Sequence, residues 1–444
     1  MRKAFIIAGL SIFLTGICRA QEAEHIWTLE ECMEYAVQNS SKTRTQSYTN
    51  DNYQQSYISA LGNMMPTVRG SVSGSWGFGR GLDPETNTYN TTSNFNNNYN
   101  LNASIPLFNG FAYLNQVRSA RISRLRGDEE LEKIRNEIAL ATMQAYVDVV
   151  YYTEAAQIAK EQLDESLKNL YNTQKQEELG LKGRPDVLQL EAEVATFEYT
   201  LIRQQNLLNT SLLNLKDQMN YPFEDALSID PVIPSHSGVF EENATEIFLD
   251  ARNRLPEALI ADYEVRESKL SLAMARGQYF PSLSASGSIG TNYFKNLKSE
   301  NPTASFRSQI DNNQGKSVGF SLSIPIFNGL SQRTRVNQAR NNLRIAEESQ
   351  HESLRLLQKE IEQAVMDVEN YATEYAQALK KTRATAEAHR ANQRKYDEGL
   401  ISVLELQNSS NLLLQARVDR LNIELQYRIK CRLLDYYKGE PLIR

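Results

Sequence analysis

Residues 104–110 read Ser-Ile-Pro-Leu-Phe-Asn-Gly, and residues 323–329 read Ser-Ile-Pro-Ile-Phe-Asn-Gly. The blocks differ only at Leu107 against Ile326 and lie 219 residues apart, close to half of the 444-residue chain. Each follows an alternating polar/apolar run, and each opens a long helical pattern. A block recurring in the same context marks the seam of an internal duplication, and a repeat constrains the fold before any single element does.

Upstream of the first seam, residues 67–79 alternate, with Val68, Val72, Trp76 and Phe78 opposed to Arg69, Ser71, Ser73 and Ser75. Residues 94–107 do the same, with Phe95, Tyr99, Leu101 and Ile105 opposed to Asn96, Asn98, Asn100 and Asn102. Period two predicts strands, and the turn-rich segment 80–93 between them predicts a polar loop. Before them, residues 28–62 predict a helix, with Thr28 and Glu31 as a capping box and Pro66 forcing an end near Asn63.

Downstream, the helical pattern of 111–179 contains no proline, and Gly127 is its only glycine. Its apolar residues, among them Ile134, Ile138, Ala145, Val149, Leu163, Leu167 and Leu170, recur every three or four positions, a coiled-coil-like stripe. At 1.5 Å per residue such a helix is roughly 100 Å long. The break at Gly180–Pro185, followed by helix 186–219, predicts an antiparallel helical hairpin. Residues 220–242, with Pro222, Pro231 and Pro234, read as a connector.

The second half repeats this order. Residues 243–278 predict a helix, 282–293 and 317–327 strands around a polar loop at 294–316, 331–397 the second long helix, and 402–437 its return after a Gly399-Leu400 turn. Leu354, Leu357, Ile361, Ala364, Val368, Tyr371, Tyr375 and Ala378 form an unbroken heptad run. The predicted organisation is a first repeat at 21–242 and a second at 243–444.

Residues 1–20 predict a secretory signal peptide. Arg2 and Lys3 precede an apolar run too short to span a bilayer, and Ala20 offers a cleavage site. No later apolar run reaches about 18 residues. Mean hydropathy of −0.50 excludes a helical membrane protein. The net charge of −6 argues against a nucleic-acid binder. Cys32 and Cys431 either pair or sit as separate buried thiols. The four histidines, His25, His236, His351 and His389, show no metal-ligand spacing, and no nucleophile or phosphate-loop motif is present, so neither cofactor nor catalysis is expected.

Four alternating strands have an apolar face with two outlets, lipid or another protein. In lipid they cannot remain an open sheet. Two copies give eight strands and a filled interior, three give twelve and a water-lined lumen walled by Ser71, Ser73, Ser75, Asn96, Asn98 and Asn100. The bland alternative is an ordinary solvated sheet face. Together, the signal peptide, the duplicated helix–strand–strand–helix halves, the two seams and the Gly-Leu hairpin tips resemble the TolC-like outer-membrane efflux family. That resemblance covers about Trp27 to Tyr437.

It implies a mainly α fold with a membrane β-barrel. In that picture four strands per protomer enter a shared trimeric twelve-stranded barrel in outer-membrane lipid, above a periplasmic tunnel of coiled helices. It implies a homotrimer acting as exit duct for a periplasmic adaptor and an inner-membrane transporter. At the tips, Gly180, Leu181, Gly399 and Leu400 resemble the family's adaptor-contact motif. Asp186 and Tyr396 resemble a latch pair closing the periplasmic end, and Glu405 a lumen-facing anionic ring. Ser402 and Ile401 depart from the family pattern, and Lys182 and Arg184 are the basic residues placed to substitute in the gate. The competing reading is an exported structural or adhesive coiled-coil stalk without channel activity.

Overall fold

The computed structural model describes residues 25–83, 87–232, 243–298 and 304–443. The predicted signal peptide and His236 lie outside the described residues. The elements are β1 Ile26–Trp27, α1 Leu29–Asn39, α2 Ser41–Gly62, β2 Thr67–Asp83, β3 Thr88–Asn109, α3 Ala112–Glu178, α4 Arg184–Met219, β4 Ser228–Ile229, α5 Ala244–Ala251, α6 Pro256–Gly277, β5 Ser282–Asn296, α7 Phe306–Asn312, β6 Gly315–Ser323, α8 Ser331–Asp397 and α9 Val403–Lys438. The fold is mainly helical with one four-stranded antiparallel sheet, ordered β2-β3-β5-β6, and a two-stranded parallel tie between β1 and β4. α3 and α8 are each 67 residues long, and α4 and α9 are each 36. No described helix is long and apolar enough to cross a membrane.

Several boundaries differ from the sequence reading. The segment expected as one helix over 28–62 breaks at Ser40, whose extended backbone (ψ 133°) and side-chain cap on Lys42 N–H start α2 afresh. Helix 243–278 breaks likewise before Pro256, which takes the first position of α6. The polar loop at 80–93 is largely strand: β2 runs to Asp83 and β3 begins at Thr88, in continuous register. The 294–316 loop contains α7. The strand expected over 317–327 stops at Ser323. That residue pairs with Ser282, the first residue of β5, so Ile324–Phe327 has no neighbouring strand to bond.

The seams share one local conformation. Asn109 Oδ1 accepts from Tyr113 N–H (3.3 Å), and Asn328 Oδ1 accepts from Gln332 N–H (3.4 Å), so each seam asparagine caps the long helix that follows. Gly110 and Phe111 (φ 64° and 63°) and Gly329 and Leu330 (φ 62° and 66°) turn the chain through paired left-handed residues, where glycine removes the first steric penalty.

The main core is a girdle around the middle of the long helices. Cys32, Met33, Tyr146, Leu215, Met219, Ile361 and Leu434 are buried there, each large apolar side chain contributing roughly 1.5–3 kcal/mol. Cys32 and Cys431 are both free and buried in it, and burial pushes the Cys32 thiol up to about 12. The Thr28–Glu31 capping box forms at the start of α1. Trp27 packs edge-on against Tyr35 and Tyr221 (5.3 and 5.7 Å), and Tyr146 OH donates to the carbonyls of Trp27 and Asp230, which holds the β1–β4 tie on α3. Nearer the sheet, Arg126 of α3 pairs with Glu267 of α6 (3.1 Å) and bonds Tyr53 OH of α2 (3.3 Å).

Candidate functional site

Beyond the girdle, α3–α4 and α8–α9 run to two hairpin tips built alike. At the first, Gly180 N–H donates to Glu177 O (2.8 Å) and Leu181 N–H to Gln176 O (2.8 Å). At the second, Gly399 N–H donates to Tyr396 O (2.9 Å) and Leu400 N–H to Lys395 O (2.8 Å). Both are Schellman closures, with glycine at the left-handed position (φ 72° and 75°). Leu181 and Leu400 are 72% and 68% exposed, far more than a Schellman hydrophobic contact would leave open.

Asp186 and Glu405 occupy the same place in the two hairpins, 219 residues apart. Asp186 accepts from Gly183 N–H (3.4 Å), and Glu405 accepts from Ser402 N–H (3.3 Å) while Ser402 Oγ accepts from Glu405 N–H (3.3 Å). Both carboxylates therefore cap their own helices. Arg184 lies 3.7 Å from Glu177 and 4.0 Å from Glu191, an exposed network. Lys182 sits over the Tyr396 ring at 4.7 Å, a cation–π contact joining the tips.

The Tyr396–Asp186 bond implied by the family resemblance is not made. Tyr396 OH lies 2.7 Å from Thr173 Oγ1 on α3, and Asp186 is turned onto its own cap. Burial raises the Tyr396 phenol, the Asp186 carboxylate adds to that shift, and the Thr173 bond opposes it.

Thr173 belongs to a feature the sequence reading missed. From residue 160 to the tip of α3 the buried positions are Gln162, Ser166, Asn169 and Thr173; of the predicted leucine stripe, Leu167 is exposed, Leu163 is half-buried and Leu170 packs on the small apolar cluster near the tips. Opposite them stand polar partners from the second hairpin. Gln162 bonds Ser410, and Gln393 Nε2 donates to Asn169 Oδ1 (2.9 Å). From α4, Gln189 donates to Gln407 (2.9 Å). The heptad of α8, carried on from Ala378, arrives at Thr382, Thr385, His389 and Tyr396, and that register was the available signal. A small apolar cluster at this end gathers Leu190, Tyr396, Val403 and Leu406, with Leu170 and Ile401 packed against it.

His389 is the central member. Its Nδ1 lies 2.9 Å from Ser409 Oγ on α9, and its Nε2 lies 2.8 Å from Glu165 Oε1 on α3. Ser409 Oγ donates to Leu406 O (2.8 Å), so every bond is satisfied when the ring carries both protons. The His389 bond holds the Glu165 carboxyl below its usual value, whereas burial raises Glu193 nearby on α4. A serine whose proton is committed to a backbone carbonyl inside a packed seam is a positional link, not a nucleophile.

In the sheet, Ser71, Ser73 and Ser75 pair with Asn100, Asn98 and Asn96 on one face, and Val72 and Trp76 pair with Tyr99 and Phe95 on the other. β2 and β6 are the edge strands, with no further strand beside them among the described residues, and Val72, Trp76 and Phe78 on β2 and Val318, Phe320 and Leu322 on β6 are exposed.

Residues 37–220 and 250–439 match the family described as Outer membrane efflux protein. Among solved structures, the Campylobacter jejuni CmeC outer membrane channel is similar with a TM-score of 0.80 at 17% identity, covering 93% of this chain and 87% of that one. The outer membrane protein VceC of Vibrio cholerae gives 0.78 at 15% identity, covering 93% and 96%. The open state of the Neisseria gonorrhoeae MtrE outer membrane channel gives 0.74 at 19% identity, covering 94% and 90%. No curated protein matches the sequence. At these identities the structures speak for the fold, and the family match spans both halves: the chain belongs to the outer membrane efflux protein family.

Proposed function

We propose that three copies of this chain, each a tandem of repeats 21–242 and 243–444, form a single duct whose twelve strands close one barrel in the outer membrane. Family membership makes the chain an outer-membrane exit duct for efflux or secretion, not an enzyme. Its helical part lies in the periplasm, and its general partners are inner-membrane transporters and periplasmic adaptors.

One observation carries it. Gly110 in the first seam lies so close to Gly277 at the end of α6 that a Cβ on either would overlap the other's carbonyl oxygen. The repeat relates Gly110 to Gly329, and it relates Gly277 to Gly62 at the end of α2, α6 and α2 being 22 residues each. Yet Gly329 and Gly62 each have nothing within 4 Å of a built Cβ. The same glycine junction, used once inside the chain, is left open at its second occurrence, which supports a neighbouring copy completing it. The open edges of β2 and β6 support the same arrangement, because a lipid-exposed sheet edge leaves unbonded backbone groups. Three copies of four strands leave a wet lumen lined by the serines and asparagines.

At the other end, the polar seam gives hairpins that part without exposing a greasy core. Tyr396 with Lys182 and Thr173 holds the tips together, Glu405 and Asp186 set their negative charge with Arg184 beside them, and Leu181, Leu400, Gly180 and Gly399 form the adaptor contact. The test is Gly62→Leu. The site is empty within one chain, so the variant folds, but it should shift the mass measured by light scattering from three copies to one and abolish conductance in planar bilayers. A Gly62→Leu protein that stays trimeric and conducting would overturn the glycine junction. A wild-type protein that never conducts would favour the stalk.

A further inference from the structure

The apolar face of the sheet carries more than aliphatic residues. Trp76, Phe95 and Tyr293 form a chain of ring contacts across β2, β3 and β5 (4.9 and 6.3 Å). α7 lies on this same face: Phe306 packs against Tyr293 (5.2 Å) and Tyr99 (6.3 Å). It is fastened there by polar bonds. Gln309 accepts from Phe294 N–H and donates to Phe294 O, each at 2.9 Å, Thr291 Oγ1 donates to Ile310 O (2.8 Å), and Asn313 donates to Asn292 O (2.9 Å). A seven-residue helix is thus held on the outward side of the sheet, at the end away from the long helices.

Charge on this face has one sign along the strands. Register places Arg80 (opposite Thr91), Lys295 (opposite Phe95) and Lys316 (opposite Ile289) on the apolar side, while Arg69, opposite Asn102, is on the wet side. α7 adds Arg307 and a single acid, Asp311. Arg80, Lys295, Arg307 and Lys316 are exposed, and none takes part in an ion pair among the described residues. Cations with no acidic partner on an apolar, aromatic-rich face are costly in hydrocarbon and favourable at a headgroup, where aromatic rings also settle.

We propose that α7 with Lys295, Arg307 and Lys316 forms a binding surface for the phosphate-bearing headgroup of an outer-leaflet lipid, with Phe306, Tyr293 and Tyr99 against the upper part of its acyl chains. Guanidinium and ammonium groups supply charge-assisted bonds to phosphate oxygens, and the ring cluster supplies the apolar floor. The inference rests on the barrel reading, since only there does this face meet lipid.

The experiment uses the full-length mature protein in nonionic detergent with lipid A carrying two phosphates, and the same lipid A with its phosphates removed, each followed by native mass spectrometry. Wild type should retain the phosphorylated lipid and the triple variant K295Q/R307Q/K316Q should retain it roughly a hundredfold more weakly. Arg69→Gln on the wet face should retain it like wild type. Equal retention by the triple variant, or equal retention of the dephosphorylated lipid, overturns the proposal. Conductance in phosphatidylcholine bilayers separates the two readings: the triple variant should conduct as wild type does, whereas a non-conducting wild type would sink the duct itself.

Discussion

The first seam is enclosed: Ile105, Pro106 and Phe108 are half-buried, β5 bonds along it, and Gly110 is buried against Gly277. The second seam repeats the sequence, the asparagine cap and the left-handed pair, yet every residue from Ser321 to Leu330 is exposed. Seven residues are therefore enough to fix a strand end, a reversal and a helix start, because those depend on neighbours along the chain. Burial depends on what stands across from the block, and across from Gly329 of the second seam nothing stands among the described residues.

The largest test of this contrast is valine at the two seam glycines, in a Gly62→Leu background that keeps copies apart. Gly110→Val forces both a left-handed β-branched residue and an overlap with the Gly277 backbone, and should cost about 3 kcal/mol or more in denaturant unfolding. Gly329→Val should cost only the backbone term, about 1–2 kcal/mol. Equal losses would break the distinction.

A second test moves to the polar seam, where the two repeats meet inside one chain. His389→Ala removes the Glu165 partner and leaves Ser409 Oγ bonded only to Leu406 O, and should cost about 1–3 kcal/mol. Glu165→Gln adds a pH signature. Because the folded-state Glu165 carboxyl titrates below its usual value of 4.5, its bond contributes stability above that pH and is lost as pH falls through the depressed value. Glu193, raised by burial, works the other way: the cost of its charge is relieved on acidification. The gap between wild type and Glu165→Gln should hold near neutrality and close below about pH 4.5, read as thermal midpoints across pH. A gap constant with pH would remove the charged link.

The smallest change in stability is expected at the tips. Leu181→Ser with Leu400→Ser should alter unfolding by less than about 0.5 kcal/mol, since both are exposed. The same pair should abolish retention of the adaptor on crosslinking and co-purification. Undiminished retention would leave these leucines without a role.

Strands, long helices and both tips were legible because they are written in short-range patterns: period two around Val72 and Tyr99, heptads from Leu354 to Ala378, glycine at the reversals. The breaks at Ser40 and before Pro256 were not, because a single capping residue inside a helical pattern weighs little against its flanks. The polar seam escaped for the opposite reason. Leu163, Leu167 and Leu170 look like the core stripe, yet the fully buried set is Gln162, Ser166, Asn169 and Thr173 at the same spacing, with Leu170 only packing at its margin, and the facing hairpin decides which set turns inward. The partners of the latch pair are set by the same kind of context: in this structure Asp186 accepts from Gly183 N–H, three residues away in sequence, and Tyr396 OH meets Thr173 on α3.

The matched lengths of the long helices also limit how the protein can change. An insertion of one residue in α3 alone would push its tip about 1.5 Å outward and swing it through about 100° relative to its counterpart. The hydrogen-bonded partners along the seam would then fall out of step together. The offset between the halves is 215 residues from α2 to α6 and 219 from α3 to α8, so the extra length was absorbed in the strand hairpins. Variation in this architecture is thereby steered toward the cell exterior, while the periplasmic end behaves like a ruler whose graduations must agree.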